Sequence, residues 1–93
     1  MNGKQRAKLR GMAQTLDSIV FVGKEGITDT VAASADQALE ARELIKCSVQ
    51  QNCPLSAREA SDILAGRLGA EGVSCTGRKF VLYRRSEENI LGL

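Results

Sequence analysis

The residues of this 93-residue chain that could do chemistry are few and unevenly placed. Gly23-Lys24-Glu25-Gly26 lies between a short apolar run and the start of a helical pattern. A turn of this kind lets backbone N–H groups and the positive end of the following helix approach a phosphate. Lys24 adds a cation there, whereas Glu25 and Asp29 repel anions. The turn is too short to wrap a triphosphate, and neither the Walker pattern nor the dinucleotide fingerprint is present. Physically it corresponds to the Gly-x-x-Gly loop with which single-strand binders clamp a nucleic-acid backbone. An ordinary glycine turn is the plain alternative for so short a signal.

Catalytic equipment is missing. The chain has no histidine, and so lacks the commonest general base and transition-metal ligand. Cys47, Cys53 and Cys75 are odd in number, form no Cys-x-x-Cys pair and complete no zinc set. They read as small apolar residues of a reduced protein, with Cys53, beside Pro54, the most exposed. Asp29, Asp36, Glu40 and Glu43 recur along one face of a helix, an exposed acidic stripe rather than a converging pair. These features point away from an enzyme and call for no cofactor and no metal.

Charge is the stronger signal. The net charge of +2 conceals two acid-free basic clusters. Lys4, Arg6, Lys8 and Arg10 form one; Arg78, Lys79, Arg84 and Arg85 form the other. The rest of the chain holds five basic against eleven acidic residues. Phosphate binding depends on local potential rather than on the total, so this division points to a polyanion partner. Aromatic residues are limited to Phe21, Phe80 and Tyr83. Phe21 and Phe80 lie in runs that look buried and only Tyr83 offers a ring, which disfavours a stacking platform on a sheet.

The elements that must position these groups read in the order α-β-α-β-α-β-β. A helix over 4–16 carries an apolar stripe of Leu9, Met12, Ala13 and Leu16, with Lys4 and Lys8 on one flank and Arg6 and Arg10 on the other. Residues 18–22 lack alternation, as in a central strand covered on both faces. Thr28 is an N-cap for a helix burying Ile27, Val31, Ala35, Ala38 and Leu39. Residues 44–50 alternate, with Ile45, Cys47 and Val49 inward and Lys46, Ser48 and Gln50 outward. Ser56 and Glu59 form a capping box for a third helix with Ala60, Ile63, Leu64 and Leu68 in the core, ended by Gly69 and Gly72. Residues 73–76 and 80–83 are strands joined at Gly77. The expected fold is a single α/β domain with a four-stranded mixed sheet packed with helices. It spans residues 1–85, followed by a flexible tail over 86–93. The longest apolar runs have four residues, too short for a membrane span, and no signal peptide is evident, so a cytoplasmic protein is expected.

Several segments together resemble the CRM domain, most closely its free-standing bacterial YhbY form. They are Leu9-Arg10-Gly11-Met12-Ala13, Val22-Gly23-Lys24-Glu25-Gly26-Ile27-Thr28, Gln37-Ala38-Leu39, Glu43-Leu44-Ile45-Lys46 and Gly77-Arg78-Lys79-Phe80-Val81-Leu82-Tyr83-Arg84. The resemblance covers residues 4–85. It implies a fold similar to the C-terminal domain of translation initiation factor 3, with a KH-like Gly-x-x-Gly loop at Gly23 and Gly26. It further implies binding to RNA and association with precursors of the large ribosomal subunit, so ribosomal RNA is the expected partner; a monomer without a small-molecule substrate is expected. Lys4, Lys8, Arg10, Gly23, Lys24, Glu25, Gly26, Lys46, Arg78, Lys79 and Arg84 are the expected contacts. A module that binds a ribosomal protein or assembly factor is the alternative.

Overall fold

The computed structural model describes residues 1–92 as three helices around one four-stranded sheet. Asn2 and Gln5 form a capping box that starts α1 (Gly3–Ala13), so this helix begins and ends earlier than its apolar stripe suggests. β1 (Ser18–Val22) leads through the glycine turn into α2 (Asp29–Arg42), capped by the Thr28 hydroxyl, which accepts from the Val31 N–H. β2 (Leu44–Val49) precedes α3 (Ala57–Leu68), where Ser56 and Glu59 make the expected reciprocal cap. Each such cap stabilises its helix by about 1 kcal/mol. β3 (Glu71–Thr76) and β4 (Lys79–Tyr83) form the closing hairpin. The order α-β-α-β-α-β-β is the one expected, and Gly72 lies within β3 rather than ending α3.

Sheet order is β1-β2-β4-β3, with β1 parallel to β2 and the other pairs antiparallel. The chain inserts β4 between β2 and β3, so β2 and β4 are the central strands. Side-chain alternation then divides the sheet into two unlike faces. On one, Val20, Val22, Ile45, Cys47, Phe80 and Leu82 pack against Ala35 and Leu39 of α2 and Ala60 and Leu64 of α3. Burying each large apolar side chain here contributes about 1.5–3 kcal/mol. On the other, α1 sets Leu9 and Ala13 against Leu44, Val73 and Val81.

Four expectations are corrected by this arrangement. β1 is an edge strand, not a central one, because β4 takes the inner position beside β2. Phe21 is consequently 53% exposed: it faces the α1 side, and the α1 side chains that pack on the sheet meet β2, β4 and β3. Met12 and Ile63 are exposed rather than in the core. Among the cysteines Cys75 is exposed and Cys53 half-buried; Cys47 is buried, and burial pushes its thiol up to about 12.

The C-terminal end holds a fifth difference. Glu43, expected on the exposed acidic stripe, is fully buried at a backbone φ of 66°. Its carboxylate accepts from the Ser86 hydroxyl at 2.6 Å and from the N–H groups of Ser86, Ile90 and Leu91 at 3.0, 2.7 and 3.0 Å. Its carbonyl accepts from the Arg84 N–H. Burial alone raises its pKa, but the Ser86 hydroxyl and the three N–H donors outweigh it and hold the carboxyl at about 2. The segment read from sequence as a tail therefore contributes donors to a buried acid.

Candidate nucleic-acid interface

Strand register sets the open part of the α1-side face. Phe21 pairs with Ser48, Ser48 with Lys79, and Lys79 with Thr76, forming one row across all four strands. The next row places Lys46 opposite Val81, and Val81 opposite Ser74. Neighbouring strands lie about 4.8 Å apart, so Phe21 and Lys79 are roughly 10 Å from each other across the small Ser48.

Over these rows α1 forms a groove of about 350 Å³, lined by Arg10, Ala13, Gln14, Lys46, Ser74, Thr76, Lys79 and Val81. Three cations more than 30 residues apart in sequence converge there. Hydroxyls and one amide surround them, with no carboxylate in the lining. A shallower groove beside it runs along Phe21, Ser48, Val49, Gln50, Gln51, Asn52 and Arg78. The Arg78 carbonyl accepts from the Val49 N–H at 2.8 Å, which fixes the β3–β4 turn against the end of β2.

The glycine turn borders this second groove. The Gly26 N–H donates to the Gly23 carbonyl at 3.0 Å, closing a turn with exposed Lys24 and Glu25 at its tip. Gly26 has a φ of +71°, a region costly for residues with a Cβ. At Gly23 an added Cβ would lie 2.9 Å from the Gln50 side-chain oxygen, so the turn and the β2 end approach closely. Two residues separate Gly26 from the first helical residue, Asp29, and the Thr28 hydroxyl already serves one N–H of the first turn. Asp29 itself pairs with Arg67 at 2.7 Å, which offsets its charge.

The candidate contacts thus separate into groups. Arg10, Lys46 and Lys79 share the first groove, and Arg78 lies in the second. Gly23, Lys24, Glu25 and Gly26 form the turn at its border. Among the described residues, Arg10, Lys24, Lys46, Arg78 and Lys79 make no ion pair. Lys4 and Lys8 are exposed on α1 but line neither groove. Arg84 does not join the basic face. It binds Asp36 at 2.7 Å and Glu40 at 3.6 Å, donates to the Leu68 and Asp36 carbonyls, and leaves only 19% of its side chain exposed. Arg6 likewise donates to the Gly72 and Val73 carbonyls, fastening α1 to β3.

Phe21 is the residue that sequence reasoning missed. It lies in an uninterrupted apolar run with no polar residue to mark an outer face, so no local signal separates it from Val20 and Val22; its exposure follows from the edge position of β1. Tyr83, the ring expected outside, is half-buried against the α1 cluster.

A family model described as the CRS1 / YhbY (CRM) domain matches residues 1–84. The chain is 40% identical over 89 residues to the Bacillus subtilis protein named "Probable RNA-binding protein YqeI", covering 96% of this chain and 93% of that one. It is 33% identical over 88 residues to a Haemophilus influenzae protein named "RNA-binding protein", covering 95% and 89%. Its fold is similar to the solution structure of SAV1595 from Staphylococcus aureus, a hypothetical protein described as a candidate RNA binder. There the TM-score is 0.82 at 38% identity, over 96% of this chain and 93% of that one.

Proposed function

The chain belongs to the CRS1/YhbY (CRM) domain family, and from that premise we propose that it is a non-catalytic RNA-binding protein. The relatives' names support RNA as the partner. The observation that carries the reading in this chain is the convergence of Arg10, Lys46 and Lys79 in one carboxylate-free groove, without ion pairs among the described residues. Cations without protein counter-charges remain available to neutralise phosphates, and releasing the condensed counterions of RNA drives association. Lys24 and Arg78 extend the same potential to the glycine turn, where backbone N–H groups can approach the strand.

The ribosomal precursor of the large subunit is the proposed target, an extension that the family resemblance supports. Charged groups and hydroxyls in an open groove suit positioning on a backbone, whereas no pair of carboxylates converges there for acid–base chemistry.

A fluorescence titration of single-stranded RNA against salt tests the electrostatic mechanism. Five engaged phosphates, one for each of the five cations, give a slope of log affinity on log salt of roughly −3 to −4. A flat response rules it out. Crosslinking in cells tests the target: crosslinks in large-subunit ribosomal RNA are expected, and crosslinks confined to other RNAs overturn the assembly role. Association with ribosomal particles that survives complete RNA digestion would instead favour a protein partner.

A further inference from the structure

Phe21 has no role in the core, and its surroundings are unusual for an exposed phenyl ring. It stands one residue before the end of an edge strand, 53% exposed, opposite Ser48, whose short side chain does not cover the ring. Of the other lining residues, Val49 is buried in the core, and the rest are Ser48, Gln50, Gln51, Asn52 and Arg78, which are polar or basic. The other large exposed apolar residues, Met1, Met12, Ile63 and Ile90, lie outside this groove, so no apolar patch is built around the ring. An interface for an apolar protein surface would surround an aromatic with further aliphatic side chains. A nucleobase presents different requirements: a π-face to stack on, amides for its edge, and cations for its flanking phosphates.

We propose that Phe21 is a stacking platform for an unpaired base of the bound RNA, and that this protein therefore prefers single-stranded to duplex RNA. The inference rests on the RNA-binding reading of the same face. The geometry assigns a path to the strand. One base lies on the Phe21 ring above Ser48. The backbone then runs past Arg78 and Lys79, which is one strand beyond Ser48 in the same row, toward the groove of Lys46 and Arg10. On the other side it meets the Gly23–Gly26 turn, two residues along the chain from Phe21. Bases within a duplex are already stacked and paired, so a rigid duplex can use the cations but not the ring.

The chain contains no tryptophan, so a Phe21→Trp variant carries a single indole exactly where stacking is proposed. Three probes distinguish the terms: a single-stranded 12-mer RNA, a 12-base-pair RNA duplex, and a 12-mer of abasic ribose phosphates with the same charge as the single strand. Indole emission is expected to be quenched by the single-stranded RNA and unchanged when the abasic strand binds. Phe21→Leu, which retains an apolar side chain without a π-face, should lose about tenfold or more in affinity for the single strand. Its salt slope and its affinity for the abasic strand should stay at the values of the unsubstituted protein. Full affinity in Phe21→Leu, or equal quenching by all three probes, overturns the stacking role while the salt slope still supports the electrostatic reading. Failure of the unsubstituted protein to bind any of the three overturns both.

Discussion

Lys79 opens β4 and Arg84 follows its last residue, yet the two cations end in opposite situations. Lys79 lines a groove with Lys46 and Arg10 and meets no carboxylate. Arg84 is enclosed by Asp36, Glu40 and the Leu68 carbonyl, and joins α2 and α3 to the end of the sheet. The difference extends to the regions around them. On the α2–α3 side, Asp29 is matched by Arg67, and Asp36 and Glu40 by Arg84. Nearby, the buried Glu43 is matched by four donors. On the α1 side the N-terminal ammonium pairs with Glu71, and Arg6 with two carbonyls of β3. Arg10, Lys46, Arg78 and Lys79, however, make no ion pair among the described residues, and an aromatic ring stands beside them. Charge satisfied within the protein contributes to holding it together; charge left open is solvated by water and counterions and stays available to a partner. The same residue types therefore do structural work at one end of β4 and are available for binding at the other.

Neutralising the open side should produce the largest change in RNA affinity. Replacing Arg10, Lys46 and Lys79 together by Ala should cost one to two orders of magnitude at low salt and reduce the salt slope by about 2. The thermal midpoint should barely move, since these side chains make no ion pairs among the described residues. A large loss of stability with an unchanged slope would erase the distinction between the two regions.

Arg84→Ala should behave in the opposite way. Losing hydrogen bonds from a guanidinium to Asp36 and to two carbonyls should cost about 1–2 kcal/mol. That lowers the melting temperature by roughly 4–16 °C in a domain this small. RNA affinity measured below the transition should change less than twofold. A tenfold drop would return Arg84 to the binding surface.

The smallest effect on RNA binding, and a diagnostic one on stability, is expected from acid. Glu43 has a folded-state pKa of about 2, below the ordinary carboxyl value near 4.5. Its contribution is therefore complete above about pH 4.5 and is lost as pH falls toward 2. Urea midpoints measured from pH 6 to pH 2.5 should decline over that window. In Glu43→Gln the stability should be lower at pH 6, because an amide directs donors at existing N–H donors, and the decline should be shallower. An unchanged pH profile in Glu43→Gln would remove Glu43 from the account.

Much of this organisation was legible because it depends on short-range chemistry. Ser56 with Glu59 and Thr28 with Val31 are caps decided within one helical turn, and the α-β-α-β-α-β-β order follows from local periodicity. The positions of Phe21, Arg84 and Glu43 were not legible for a common reason. Each depends on which distant segment lies alongside. Phe21 is exposed because β4, not β1, occupies the second central position. Arg84 is sequestered because Asp36, 48 residues earlier, comes within 2.7 Å. Glu43 is buried because the Ser86–Leu91 segment closes over it.

The amino-acid sequence by itself determined a small α/β domain without histidine, two basic clusters, a glycine turn and membership of an RNA-associated family. Tertiary structure alone decided which charges face outward. It divided the second basic cluster, leaving Arg78 and Lys79 open and enclosing Arg84. It also brought Arg10 and Lys46 to Lys79. Helix caps and strand alternation are set by neighbours a few residues away, whereas charge satisfaction is set by long-range pairing that the order of strands in the sheet decides.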